Sequence, residues 1–288
     1  MRHDWLEWYT EQRFLCKWLE GVMVLNQRNH EEELLQELRQ AEEQAELPPA
    51  EEDHTEMPER GRQPTELHPD RVTVEQVREH PHTRVYIDAA NEHLKLLGYT
   101  EHGIRHATLV SNIAANVLTY LGYPPRQSEL AAIAGLLHDI GNVVNRDTHG
   151  QIGALMAKDI LLDLGMDMSE ITLVMAAIGN HEAERGHAIS PVAAALILAD
   201  KADVHRSRVH NRNPETFDIH DRVNYAATHS FLRVTSNRKR ITLEIEIDTT
   251  IASVMDYFEI FLSRMIMCRR AAEFLGYQFE LEINGHVL

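Results

Sequence analysis

The chain has 288 residues, 43% of them hydrophobic, which is enough to build a sizeable core and excludes a wholly disordered protein. Its 45 acidic against 28 basic side chains give a net charge of -17, which excludes a general nucleic-acid coat, and a nucleic-acid partner is not expected. Cys16 and Cys268 stand far apart without partner spacing, excluding a disulfide scaffold and a cysteine zinc site, so the cytoplasm is the expected location.

The first element is a predicted amphipathic helix within residues 1–46, where Trp5, Trp8, Phe14, Leu15, Trp18, Leu19 and Val22 recur at helical spacing. All three tryptophans lie in it, which suits contact with a protein partner or a second copy of the chain; packing on its own core is the plainer alternative. The nearby apolar run Val22 to Leu25 is too short for a signal-peptide core or a membrane span, so no membrane association is expected. From Glu31 to Glu66, thirteen acidic residues face three arginines, and five of the ten prolines fall between Pro48 and Pro69. Residues 47–70 are read as an acidic, proline-rich disordered linker.

Beyond the linker the pattern turns helical, and residues 71–215 are expected to form an all-α domain. Val85, Ile87, Leu94, Leu96 and Leu97 predict one core face, and Leu109, Val110, Ile113, Ala114, Val117 and Leu121 another. A helix capped by Ser128 and closed by Gly141 should run to Ile140, followed by helices over Ile152–Leu164, Ser169–Ile178 and Pro191–Val204. The period then changes: Phe231–Val234 and the alternating Ile241, Leu243, Ile245 and Ile247 predict a hairpin around Ser236–Lys239. A helix over Ile251–Leu275, stopped by Gly276, leads to a strand through Tyr277, Phe279, Leu281 and Ile283. The predicted fold class is mainly α, with residues 216–288 forming a small α+β unit of β-β-α-β order.

Eighteen histidines are the compositional anomaly. Within the helical region, His106, His138, Asp139, His149, His181 and Asp200 all fall near helix ends or flanks. Imidazole with carboxylate suits divalent transition metals, and one carboxylate with two oxygens can bridge a pair of ions. His138 and Asp139 interrupt the apolar run Ala131–Ile140, where two adjacent polar groups are costly to bury without a metal or other partner. His102, His187, His205, His210 and His220 are read as surface or supporting residues, and Asp203 as a surface or supporting acid.

The run Leu136-Leu137-His138-Asp139-Ile140-Gly141 resembles the signature of the HD-domain superfamily of metal-dependent phosphohydrolases. Arg105-His106-Ala107 is similar to the first histidine of that family, and His149-Gly150-Gln151-Ile152-Gly153-Ala154 to the segment after the pair in ribonuclease Y type HD domains. Asn180-His181-Glu182 and Leu198-Ala199-Asp200-Lys201-Ala202-Asp203 resemble the fourth histidine and the closing aspartate. The resemblance covers residues 100–205. It implies one ion held by His106, His138, Asp139 and Asp200, with Asp139 as the catalytic bridge to a second ion held by His149 and His181. Iron or manganese is expected first, then zinc, cobalt, nickel or magnesium.

The implied reaction is hydrolysis of a phosphoester or phosphoanhydride in a small nucleotide-like substrate by a water that the two cations activate. Asn142 stands where the family often carries a phosphate-binding lysine. The Gly-Tyr-Pro signature of the cyclic-di-GMP phosphodiesterase branch has no counterpart, because Gly122-Tyr123-Pro124 precedes the HD pair and reads as a turn. Lys201, Arg206, Arg208 and Arg212 form a basic stretch, of which Lys201, Arg206 and Arg208 are expected to bind substrate phosphate, with a solvated helix face as the plain alternative. Two other functions share the same ligand set: a di-iron HD oxygenase, and a regulatory module that holds metal or nucleotide without turnover.

Overall fold

The computed structural model describes residues 71–183 and 186–288, which belong to one compact unit. The expected tryptophan helix and acidic linker lie outside the described residues. Helix α1 (Val74–Glu79) opens with a capping box, in which the side chain of Thr73 accepts from the backbone of Gln76 and Gln76 reaches back. Helix α2 (Pro81–Leu96) has proline in its first turn, where the missing N–H costs nothing. It buries Ile87, Ala90 and Leu94, whereas Val85, Leu96 and Leu97, expected in the core, are exposed. The buried set follows a single stripe at i, i+3 and i+7; Val85 and Leu96 fall off that stripe, and Leu97 is already the C-cap.

Helix α3 (Ile104–Tyr120) and helix α4 (Pro125–Leu137) pack face to face. Gly135 makes this approach close, since a Cβ there would lie 2.8 Å from the Cα and N of Ser111. Residues 130–137 of α4 are buried on every side, so α4 is the central rod of the bundle. It begins at Pro125 and ends at Leu137, earlier at both ends than the sequence suggests: Ser128 is buried inside it, and Ile140–Val143 forms a separate 3-10 turn. Helices α5 (His149–Asp163), α6 (Met168–Gly179) and α7 (Pro191–Lys201) complete the bundle, and α7 is apolar all round through Val192–Ala199.

Helix α8 (Ile219–Ala226) then leads into a mixed α/β unit. Strand β1 (Ala227–Thr235) pairs antiparallel with β2 (Arg240–Ile247), and Lys239 closes their turn with a left-handed φ of 50°. Helix α9 (Val254–Phe274) crosses over to β3 (Gln278–Ile283), which pairs parallel with β2, as parallel pairing requires a long connection. A short further strand, β4 (His286–Val287), pairs antiparallel with β3 and was not foreseen. Ile241, Leu243, Ile245 and Leu281 join the same continuous apolar core as the bundle. Ser230 Oγ donates to the carbonyl of Ala202, tying β1 to the segment after α7.

One ion-pair cluster fastens the start of the bundle. Arg126 donates to Glu170 across to α6 (Nε–Oε1 2.8 Å), to Glu129 at 2.9 Å and to the carbonyl of Val72 at 2.7 Å. The Arg126 hydrogen bonds hold the Glu170 carboxyl below its ordinary range against the effect of burial. Because the folded value is the lower one, this stabilisation is complete above the unfolded glutamate value of about 4.3 and is lost as pH falls through the folded value. Replacing Glu170 by Gln should cost about 2 kcal/mol near neutral pH, and the deficit should shrink in acid; urea unfolding at several pH values checks it.

Candidate metal centre

His106 sits in the first turn of α3 and His138 caps the end of α4. Asp139 opens the 3-10 turn, His149 begins α5, His181 follows α6 and Asp200 lies in the last turn of α7. Six elements thus deliver six side chains to one place. His106, His138, His149 and His181 are buried, as is Asp139.

The imidazoles form two pairs. The Nε2 atoms of His106 and His138 are 3.3 Å apart, and those of His149 and His181 are 3.1 Å apart. Asp139 lies between the pairs with one oxygen toward each. Its Oδ2 is 3.1 Å from His138 and 3.6 Å from His106, while Oδ1 is 3.3 Å from His149 and 3.8 Å from His181. Asp200 adds an oxygen 3.5 Å from His106 and 3.7 Å from His138.

The other ring nitrogen settles what these Nε2 atoms can do. Nδ1 of His138 is 2.8 Å from the carbonyl of Gly135, Nδ1 of His149 is 2.8 Å from that of Arg146, and Nδ1 of His181 is 2.6 Å from that of Ile178. Nδ1 of His106 meets Asp203 Oδ2 at 2.7 Å. A carbonyl or carboxylate can only accept, so each Nδ1 donates, and in a neutral ring Nε2 is left as a lone pair. Four lone pairs and the carboxylate oxygens then converge with nothing but acceptors facing one another. Such a donor set fits divalent cations, and tight groups form around each imidazole pair: His106, His138 and Asp139 on one side, Asp139, His149 and His181 on the other, with a third formed by His138, His181 and Asp200.

The electrostatics show where positive charge is favoured in the cluster. Burial would raise the Asp139 carboxyl, but the charge of His138 and hydrogen bonds from His138, His149 and His181 hold it well below the usual range. Burial pushes His181 down to about 4, with the neighbouring His149 and His138 adding to the effect, which keeps it neutral. At His138 burial opposes the proton, yet Asp139 and Asp200 raise the value to about 10, so this ring holds a proton on Nε2 unless a cation takes that place, and its lone pair becomes available only as the proton leaves.

Supporting groups lock the donors. Asp203 is buried, not on a helix surface, and receives His106, the guanidinium of Arg105 at 2.9 Å and, at its carbonyl, Arg208 at 2.9 Å. Asn142, in place of the lysine, donates to the Asp139 carbonyl at 2.9 Å and to Oδ1 at 3.1 Å, and accepts from Arg146 at 3.1 Å. Replacing Asp203 by Asn should therefore weaken metal affinity by roughly 10- to 100-fold with little change in fold, measured by competition with a chelator.

The basic stretch is arranged otherwise than expected. Helix α7 stops at Lys201, so Arg206 and Arg208 do not continue along its axis. Lys201 is buried and hydrogen-bonded to Asp200, and Arg208 donates to the carbonyls of Glu101 and Asp203. Both line the cavity of about 360 Å³ over the donors. Arg206 does not, because its guanidinium lies over the ring of Tyr225, 5.4 Å from the centroid. His102 stacks edge-on against His106 and faces the cavity with Tyr99, Arg146, His220 and Arg264, while His187 is exposed and outside the cluster. Sequence patterns carry no sign of Arg264, which lies more than sixty residues beyond Asp200 on another element.

Comparison with known proteins bears on the same region. Residues 99–204 match the HD domain family. This segment is similar to an HD domain. Its clustered histidine and aspartate groups are consistent with the metal-dependent phosphohydrolases of that superfamily. An uncharacterized protein of Methanocaldococcus jannaschii, MJ1020, is 30% identical over 148 residues, covering 43% of this chain and 56% of its own length. Among the described residues, no helix is long and apolar enough to cross a membrane.

Proposed function

We propose that this HD-domain protein is a metal-dependent phosphohydrolase that cleaves a phosphoester or phosphoanhydride of a small, nucleotide-like substrate. The observation that carries this reading is the set of four imidazoles whose Nδ1 atoms are all committed to acceptors, leaving their Nε2 atoms to converge on Asp139 and Asp200. His106, His138, Asp139 and Asp200 would hold one cation, and Asp139, His149 and His181 a second, iron or manganese being favoured by the mixed donors. When bound, such a pair supplies an activated water and neutralises charge that develops on a phosphoryl group.

The chain's own residues divide the remaining work. Asp139 spans the two imidazole pairs and is kept ionised by them, Asp203 holds the tautomer of His106, and Asn142 fixes the rotamer of Asp139. Tyr99, with Arg146 stacked on its ring, offers the cavity an aromatic face suited to a planar base. Residues 71–215 are the metal-binding part in this reading, residues 216–288 a unit packed upon it, and the tryptophan-rich start a contact for a partner or a second copy. The cytosol is its proposed location.

The test is metal analysis of protein purified without added metal, followed by phosphatase, phosphodiesterase and oxygen-uptake assays. Two transition-metal ions per chain with chelator-sensitive phosphate release is the expected result. Oxygen uptake without phosphate release would replace this reading with the di-iron oxygenase, and bound metal without either activity would replace it with the regulatory module.

A further inference from the structure

The cavity over the candidate metal centre is walled on one side by the C-terminal unit, which contributes Ile260, Ser263 and Arg264 from α9. Arg264 is half-buried, and its guanidinium sits over the ring of Phe261 at 4.7 Å. Among the described residues it has no carboxylate partner and no hydrogen-bond acceptor. The four acids that share the cavity are all engaged: Asp200 by Lys201, Asp139 by the histidines, Glu182 by the backbone of Gly150 and by His149, and Asp147 likewise has a partner. Arg146, on the segment between the HD turn and α5, faces the same cavity, and its acceptor is the neutral amide of Asn142. A guanidinium removed from bulk water without a counter-charge is costly, and two such groups lining one cavity repel each other. Burial first, and then the charges of Arg208 and Arg146, lower the pKa of Arg264, while Asp200 works against them. An anion that enters the cavity relieves this cost at both groups, and guanidinium forks match phosphate oxygens.

We propose that Arg146 and Arg264 form a two-part clamp, built from the HD domain and from α9, that selects a phosphate dianion and so a phosphomonoester over a phosphodiester. Two cations without carboxylate partners match two negative charges; a diester brings only one. The C-terminal unit is thereby part of the substrate site and its α9 supplies specificity. This inference rests on the proposed phosphohydrolase reading for the identity of the site, while anion binding can be measured without turnover.

The experiment uses the full-length, manganese-loaded protein and isothermal titration with inorganic phosphate, with dimethyl phosphate as the monoanionic probe. Phosphate should bind and dimethyl phosphate should bind much more weakly. Arg264→Gln and Arg146→Gln should each weaken phosphate binding by roughly tenfold or more at unchanged manganese content, with Arg264→Lys in between. If phosphate affinity is the same in both glutamine variants, or if dimethyl phosphate binds as tightly as phosphate, the clamp is overturned, even where the enzyme hydrolyses a phosphate ester. If phosphate binding depends on both arginines while no ester is hydrolysed, the clamp stands and the hydrolase reading fails. Should Arg264→Gln lose manganese, Arg264→Lys and Arg146→Gln decide: phosphate affinity equal to the parent in both would overturn the proposal.

Discussion

Asp139→Asn should remove turnover by at least about a thousandfold, some 4 kcal/mol of barrier, while leaving the helical bundle folded. Asp139 places one oxygen against each imidazole pair, Oδ2 toward His138 and His106 and Oδ1 toward His149 and His181, which is the bridging position. The amide of asparagine keeps the volume but offers only one acceptor oxygen, and its NH2 would donate into one set of Nε2 lone pairs. Metal content should fall from about two ions per chain to one or fewer. A ligand that binds only the folded state raises stability by mass action, so added manganese should raise the melting temperature of the parent and have much less effect on the variant. Melting temperatures of the two proteins in chelator should be similar. A variant that binds manganese as tightly as the parent would remove Asp139 from the site, and with it the bridging arrangement.

Gly141→Ala should be among the most destabilising small substitutions in the domain, costing about 3 kcal/mol or more. A Cβ at this position would stand 2.0 Å from the carbonyl oxygen of His149 and 2.5 Å from the backbone N of Gly153. Those are main-chain atoms of α5, which cannot swing aside like the tip of a side chain, so the helix would have to move away from the HD turn. His149 starts that helix and stands 3.3 Å from Asp139, so the same movement opens the second imidazole pair. Denaturant unfolding and metal analysis should therefore fail together, with one ion lost before the other. Gly165→Ala is the control: its φ of +79° disfavours a side chain but its surroundings are open, and about 1 kcal/mol is expected. Equal effects at both positions would show that backbone conformation, not the contact with α5, explains the glycine at 141.

The same residue shows where reading the chain falls short. Gly141 looks like the stop signal of a helix through Ile140, because glycine commonly follows a helix end. In the structure α4 has already ended at Leu137, and the glycine serves a close approach of two backbones from elements eight or more residues apart. Helix length is misjudged at α7 for a related reason. Its apolar run continues to Val204 because that residue is also buried, although the helix stops at Lys201, and burial in a loop leaves the same mark on composition as burial in a helix. This early stop removes Arg206 from the cavity and turns its guanidinium to Tyr225.

What the sequence by itself determined is the chemistry of the donors and the alternation of helical and strand periods. His106, His138, Asp139, His149, His181 and Asp200 are legible because metal-capable side chains at the ends of apolar helices are expensive unless partnered, and that cost is local. The period-two pattern of Ile241 to Ile247 is equally local, since each apolar residue needs only one face of its own strand. Tertiary structure decided which oxygen of Asp139 faces which imidazole pair, that Asp203 anchors His106, and that Arg264 reaches the same cavity from α9. These are pairings between residues up to about 125 positions apart, and nothing in the periodicity of either segment encodes the other. Such groups meet only when the shared apolar core packs the helices of the bundle, and the C-terminal unit with them, into one body.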